Sequence, residues 1–195
     1  LRHGVVYAGQ EKAEIRLAYF RPASGLNPDL EARYQANRLT VTRQLPYEPS
    51  ATKTLDLGLF VNGIPVATAE IKNHLTGQTA EDAKQQYRTA RDPRNPLLRR
   101  AIVHFAVDTE QVFMTTRLAG ENTRFLPFNR GNGDRAGNPA REGYRTGYLW
   151  EEVWARDAWL DLLARFVLTT TDEQGKKATL FPRYFDSTEI AIAAG

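Results

Sequence analysis

The sequence of 195 residues contains no cysteine and only three histidines. Without cysteine the chain cannot form a disulfide bridge, a thiolate zinc site or a cysteine nucleophile, and this composition suits the reducing cytoplasm. A zinc site is disfavoured for the same reason, because zinc in proteins is held mainly by cysteine and histidine. These absences direct attention to chemistry carried by carboxylates, lysine and arginine.

Two longer patterns are also missing. No run of 18 apolar residues occurs, so we expect no membrane span and no membrane partner. The P-loop pattern Gly-x-x-x-x-Gly-Lys-Ser/Thr is absent, so ATP hydrolysis is not expected of these residues alone. The first residue is leucine and no signal peptide is visible, which suggests a piece of a longer protein.

Basic residues are plentiful and most of them are arginine. The chain has 26 Lys and Arg against 23 Asp and Glu, and only six of the 26 are lysine. A guanidinium group binds phosphate in a fork that an ammonium group cannot reproduce. A single arginine is most simply a solvated surface residue, but the set favours a polyanionic partner. The candidates for contact with the phosphate groups of such a partner are Arg88, Arg91 and His74.

Hydrophobic residues make up 42% of the chain, which is enough for a sizeable core. Periodicity, capping residues and turn signals predict helices and strands in alternation. The predicted helices are Asp29 to about Arg38, Ala80–Ala90 and Leu149–Val167, and the predicted strands are Leu39–Tyr47, Leu55–Val61, Ile64–Ile71, Ala101–Val107, Val112–Thr116 and Phe125–Phe128. This order implies an α/β fold in which a small mixed sheet is flanked by helices.

Three charged residues interrupt the two strands that Asn62-Gly63 joins: Asp56 on the first, and Glu70 and Lys72 at the end of the second. Two carboxylates and a lysine on one sheet face can hold Mg²⁺ and a water molecule beside a phosphodiester. The simpler alternative is a solvated strand-end carboxylate at position 56 and a surface ion pair between Glu70 and Lys72.

Strand parity turns this interpretation into a geometric prediction. A two-residue turn pairs Val61 with Ile64, and that register would place Asp56 on the face opposite to Glu70. The two acids share a face only if the loop has an odd length or if one strand carries a bulge. With a three-residue loop and a left-handed Gly63, Asp56 would lie across from Thr68 and diagonal to Glu70.

The helix that follows the second strand carries Gln85, Gln86 and Tyr87. A glutamine amide there could bind the water on a metal ion or a DNA phosphate. The alternative is a plain helix surface with Tyr87 packed inward. His104 interrupts an apolar run and is expected to be a satisfied core histidine.

Many separated blocks of this chain resemble, in the expected order, the nuclease domain at the N-terminus of the restriction (motor) subunit of type I restriction-modification enzymes. The resemblance covers about residues 1–184. The blocks are Val41–Gln44, Leu55–Asn73, Leu75–Gln78, Gln86–Arg88, Arg91–Pro93, Val103–Asp108, Met114–Gly120, Phe125–Asn129 and Tyr148–Trp154.

The resemblance implies a restriction-endonuclease-like fold of the PD-(D/E)xK type. Asp56 then matches the first acid of the motif, Glu70 the second and Lys72 the lysine. Asp56, Glu70 and the backbone carbonyl of Ile71 would hold Mg²⁺, and Lys72 would orient the attacking water or stabilise the developing oxyanion.

Two positions depart from the pattern of such nucleases. Leu55 occupies the place of the motif's proline, and Ala83 stands where the helix motif Gln-x-x-x-Tyr, ending here at Tyr87, has glutamine. Gln85 or Gln86 would have to supply that amide from a neighbouring position.

The resemblance also implies a setting. Residues 1–168 would form the nuclease domain, and residues 169–195 a linker or the truncated start of a motor region that is absent here. The partners would be double-stranded DNA and the methyltransferase and specificity subunits, and only the full complex would use ATP and S-adenosylmethionine. The alternatives are a non-catalytic DNA-binding or docking module of the same fold and a stand-alone recombination or repair nuclease.

Overall fold

The computed structural model describes residues 1–8, 12–48, 53–133, 135–171 and 177–182. Within these ranges the strands are β1 (Val5–Ala8), β2 (Lys12–Ile15), β3 (Leu39–Pro46), β4 (Thr54–Val61), β5 (Ile64–Ile71), β6 (Val103–Val107), β7 (Val112–Thr115), β8 (Leu126–Pro127), β9 (Leu168–Thr171) and β10 (Lys177–Leu180). The α-helices are α1 (Pro28–Gln35), α2 (Ala80–Ala90), α3 (Pro96–Arg100) and α4 (Arg156–Asp161). Shorter helical turns span His74–Thr76, Leu149–Val153 and Leu162–Phe166.

Six of these strands form one mixed sheet in the order β3-β4-β5-β6-β7-β8. Only the central pair, β5 and β6, is parallel, and the other neighbours are antiparallel. Every residue of β6 is buried, as its continuous apolar run predicts for a strand inside a sheet. The predicted α/β class with a small mixed sheet is therefore confirmed.

Helices α2 and α3 lie in the crossover that joins the parallel strands β5 and β6. Helix α2 has the predicted bounds and begins with a capping box between Thr79 and Asp82. Helix α3 was not predicted, because Asn95-Pro96 signals the end of the preceding helix. The same two residues also start a new one: the Asn95 side chain accepts the N–H groups of Leu97 and Leu98, and Pro96 fits the first turn.

The two faces of the sheet carry different side chains. On one face, Phe105 of β6 packs edge-on against the rings of Phe128 and Trp154, with centroids 5.5 and 5.7 Å away. On the other face the Thr68 hydroxyl of β5 hydrogen-bonds both the Tyr87 hydroxyl of α2 and His104 Nδ1 of β6. The candidate site lies on this second, polar face.

The predicted single helix Leu149–Val167 is wrong, because the segment is divided into three parts. Leu149–Val153 is π-helical, with the Trp154 N–H bonded to the Leu149 carbonyl at 2.9 Å, and Ala155 is extended (φ −56°, ψ 138°) before α4 begins. A second π-helical turn, Leu162–Phe166, follows α4. Apolar periodicity identifies the buried face but does not distinguish i→i+4 from i→i+5 hydrogen bonding.

The segment predicted as a linker from residue 169 contains structure. Strands β9 and β10 pair as an antiparallel hairpin, and Phe181 behind them is buried against Phe105 and Trp159. Residues 172–176 and 183–195, on which much of the predicted linker falls, lie outside the described residues. In the described ranges no helix has the length and apolar character needed to cross a bilayer.

Candidate metal centre

The β4–β5 turn resolves the question of register. Asn62 and Gly63 both have positive φ (51° and 80°) and form a two-residue turn in which Val61 pairs with Ile64. A bulge then shifts the register, so that Leu59 pairs with Ala67 while Phe60 pairs with Pro65. The predicted bulge is confirmed. The predicted three-residue loop is wrong, and Gly58 rather than Asp56 lies across from Thr68.

The regular pairing of β4 with β5 ends, away from the turn, at the pair Leu57–Ala69. Asp56 is the next residue of β4 beyond that pair. Beyond this pair the Ile71 N–H donates to Oδ2 of the Asp56 side chain, at 2.8 Å, instead of to a backbone carbonyl of β4. The amide of Gln44 lies 3.4 Å from Oδ1. Gln44 has a positive φ of 48°, which is uncommon for a residue other than glycine. It ends the block Val41–Gln44 of the family resemblance, but no role was predicted for it. Asp56 thus lies beside the backbone that follows Glu70.

Glu70 is completely buried and paired with Arg91, the residue that follows α2. Arg91 Nε donates to Glu70 Oε1 at 2.7 Å, and Nη2 lies 2.6 Å from the same oxygen. The second oxygen, Oε2, is buried and has no hydrogen-bond partner among the described residues. Burial raises the pKa of Glu70 to about 7, Arg91 opposes this rise, and the nearby Asp56 adds to it.

Lys72 lies beyond the end of β5 on the Glu70 face, because side chains two apart share a face. Its backbone N–H bonds the Val107 carbonyl at 2.8 Å and continues the pairing with β6. Lys72 is half-buried, and its positive charge opposes the rise that burial causes in the pKa of Glu70. The pKa of Asp82 is lowered mainly by hydrogen bonds from Thr79, and Lys72 adds to this effect. Asp56, Glu70 and Lys72 therefore gather at one end of β5.

A buried hydrogen-bond network supports this end of the sheet. Thr68 Oγ1 lies 2.7 Å from the Tyr87 hydroxyl and 2.7 Å from His104 Nδ1. Burial lowers the pKa of His104 to about 3, so the imidazole is neutral, as expected for a satisfied core histidine. Tyr87 packs inward, while Gln86 is half-buried and Gln85 is exposed. The suggested role of either amide stays a prediction.

The three candidates for phosphate contact have different surroundings. Arg88 Nε donates to the Thr123 carbonyl at 3.2 Å, and His74 Nε2 lies 2.8 Å from the buried Asp108. The hydrogen bond to Asp108 raises the pKa of His74, which favours a cationic imidazole. The side chain of Arg91 is only 2% exposed, so a direct phosphate contact by this residue is incompatible with its burial. The predicted phosphate contact of Arg91 is therefore wrong, and its carboxylate partner Glu70 was not predicted from the sequence.

The donor set suits a hard divalent cation. Within the described part of the chain, Oε2 of Glu70 is a buried oxygen without a hydrogen-bond partner, and the one hydrogen bond of Asp56 Oδ1 is a long contact of 3.4 Å with Gln44. In an extended strand the N–H and carbonyl of one residue point to the same side, so the Ile71 carbonyl is expected on the side of Asp56, which accepts the Ile71 N–H. The described residues contain no cluster of three or more His, Cys, Asp or Glu side chains, so the backbone and water would complete the coordination shell.

A mixed sheet with a parallel central pair, a bulged hairpin and an acid–acid–lysine set at one strand end define a restriction-endonuclease-like α/β domain. The family model described as "Type I restriction enzyme R protein N terminus (HSDR_N)" matches residues 26–123, just over half of the chain. The chain therefore belongs to this family. The match includes Asp56, Glu70, Lys72 and Arg91. A search of curated proteins finds no match to the chain.

Proposed function

We propose that this chain is the Mg²⁺-dependent endonuclease domain of a type I restriction enzyme and that it hydrolyses phosphodiester bonds of foreign double-stranded DNA in the cytoplasm. The observation that carries the proposal is the orphaned Oε2 of the buried Glu70 beside Asp56 and Lys72. A buried carboxylate oxygen without a partner is unfavourable unless a proton or a cation neutralises it, and a divalent cation beside Asp56 would do so for both acids.

The residues of the centre have two roles, metal binding and orientation of the attacking water. Asp56, Glu70 and the Ile71 carbonyl would hold the metal ion, which when bound supplies Lewis-acid activation of water and neutralises phosphate charge. Lys72, held by the Val107 carbonyl through its backbone, orients the attacking water and stabilises the developing negative charge with its ammonium group.

Membership of the family supports a proposal for the setting of this activity. The chain would act with methyltransferase and specificity subunits, which read the sequence, while this domain contacts DNA phosphates and needs no base contact. Arg88 and a cationic His74 are the candidates for those contacts. ATP and S-adenosylmethionine would serve only the full complex, and the isolated domain would cut weakly or not at all.

A second candidate is a non-catalytic DNA-binding or docking module. The observation in its favour is the ion pair between Arg91 and Glu70. A buried carboxylate that no longer binds a metal ion would need such a positive charge to neutralise it. The module and the nuclease differ in metal binding: only the nuclease needs a divalent ion at Asp56 and Glu70.

The test compares Asp56→Ala, Glu70→Ala and Lys72→Ala in the assembled restriction complex. Each should abolish DNA cleavage, because each removes a ligand or the charge next to the water, while ATP-driven translocation continues. Asp92→Ala is the matched control, since Asp92 pairs with the exposed Arg94 away from the centre. Cleavage by any of the three variants at the wild-type rate would contradict the proposal.

A further inference from the structure

We propose that Arg91 is a positioning residue of this centre: it holds Oε1 of Glu70 so that Oε2 is presented to the metal ion. The inference rests on the proposed function and adds a role for a side chain that touches neither metal nor DNA.

The division of the Glu70 carboxylate is the first observation. Both contacts from Arg91, Nε at 2.7 Å and Nη2 at 2.6 Å, converge on Oε1. An arginine–carboxylate pair formed for its own sake usually uses both oxygens in a two-pronged fork. Here both contacts fall on one oxygen, a hydrogen bond from Nε and a close ionic contact with Nη2, while Oε2 is left buried without a partner in the described residues. The pair is therefore complete only on the side away from the candidate metal site.

Arg91 is itself held from several directions. Nη2 donates to the Thr54 carbonyl at 2.8 Å, and Nη1 lies 3.3 Å from the hydroxyl of Tyr47, whose ring lies under the guanidinium at 5.1 Å. Tyr47 in turn donates to the Ala90 carbonyl at 3.2 Å. The side chain thus connects the start of β4, the end of α2 and Glu70 on β5. Strands β4 and β5 carry the two acids, so the same contacts fix their spacing.

Energetics argue against a purely structural pair. Two buried charges lose hydration that their mutual attraction recovers only when all remaining polar atoms are satisfied, and replacing such pairs with apolar residues is often neutral or stabilising. The unsatisfied Oε2 is the defect that a structural pair would avoid. In metal sites, by contrast, residues that orient a ligand typically contribute about ten- to a hundredfold to metal affinity or activity.

The test measures binding of Mn²⁺ alone to the 195-residue chain by titration calorimetry, with thermal unfolding recorded for each variant. Arg91→Gln should weaken Mn²⁺ binding about ten- to a hundredfold. Arg91→Lys, which keeps the charge but not the planar group, should give an intermediate loss and serves if Arg91→Gln does not fold. Arg94→Gln, an exposed arginine three residues on whose partner is Asp92, should bind as the wild type does.

A double-mutant cycle separates positioning from general destabilisation. If Arg91 acts through Glu70, Arg91→Gln should have no further effect on Mn²⁺ binding in a Glu70→Gln background. The inference is overturned if Asp56→Asn and Glu70→Gln weaken binding while both Arg91 variants bind like the wild type. If neither acidic variant changes Mn²⁺ binding, the proposed function fails, and the inference fails with it.

Discussion

The two faces of the central strands differ in chemistry: one is packed with aromatic rings, and the other buries polar and charged groups. Phe105 points into an aromatic cluster with Phe128, Trp154 and Phe181. Its neighbour His104 points the other way, into a face that buries hydrogen-bonded polar groups and the Glu70–Arg91 ion pair. Burying polar groups has a desolvation cost that apolar packing avoids. The polar face therefore indicates selection for something other than stability.

The largest effect is expected on the apolar face. Phe105→Ala should lower the free energy of unfolding by about 3–5 kcal/mol, because it removes a fully buried ring and leaves a cavity. Urea denaturation measures this. Leu75→Ala is the control, since Leu75 is 91% exposed and should change stability by less than about 0.5 kcal/mol. A loss near the control value for Phe105→Ala would show that this face is not the stabilising one.

The polar face should respond differently to single and paired substitutions. At pH 8, Arg91→Met should lower the free energy of unfolding by about 3 kcal/mol, because it leaves the Glu70 carboxylate buried without its partner. Glu70→Leu combined with Arg91→Met should be as stable as the wild type, or more stable by about 1–4 kcal/mol. Chemical denaturation tests both. A double variant as unstable as Arg91→Met would mean that the pair is kept for stability, contrary to the comparison of faces.

The pH dependence of stability should single out Glu70. Its pKa is raised by burial from 4.5 to about 7, so the folded state holds this proton more tightly than the unfolded state. The corresponding stability is fully present below pH 4.5 and is lost as the pH rises through about 7. The wild type should therefore lose on the order of 3 kcal/mol over this window relative to the Leu–Met double variant.

His104 contributes in the opposite sense to this profile. Its pKa is lowered by burial from 6.5 to about 3, so its contribution is lost as the pH falls through that range. Because His104 is present in both proteins, the difference between their pH profiles removes its effect. Parallel profiles would contradict the raised pKa of Glu70.

The smallest effect is expected for the network under the site. Thr68→Val keeps the shape of the side chain but leaves the Tyr87 hydroxyl and His104 Nδ1 without the hydrogen bond that Thr68 provides. The free energy of unfolding should fall by about 1–2 kcal/mol. Thr89→Val, at an exposed position of α2, is the matched control, and equal losses in the two variants would show that the buried network adds nothing.

Much of the frame could be predicted from local pattern. The bounds of α2, the buried central strand and the need for a bulge near Asn62-Gly63 all follow from capping residues, apolar runs and strand parity. Strand parity predicted an odd loop or a bulge because it depends only on which side chains must face the core. Parity could not decide between these two, since a three-residue loop and a two-residue turn with a bulge place the same side chains on the core face.

The contacts that complete the candidate site could not be predicted from local sequence pattern. Arg91 joins Glu70 across 21 residues, and Gln44 approaches Asp56 only because its backbone adopts a positive φ. These contacts depend on how α2 crosses the sheet and on a strained residue in β3, and neither has a local sequence signature. The break at Ala155 was missed similarly, because apolar spacing is compatible with both α- and π-helical bonding.

The central claim is that Asp56 and Glu70 hold a divalent cation, and a crystal structure of the chain grown with Mn²⁺ tests it most directly. Anomalous scattering should reveal one ion bound by Asp56, Oε2 of Glu70 and the Ile71 carbonyl, at about 2.0–2.3 Å from each oxygen. Arg91 should still hold Oε1. No anomalous peak at these residues in saturating Mn²⁺, with Glu70 still buried against Arg91, would contradict the claim and favour a non-catalytic module.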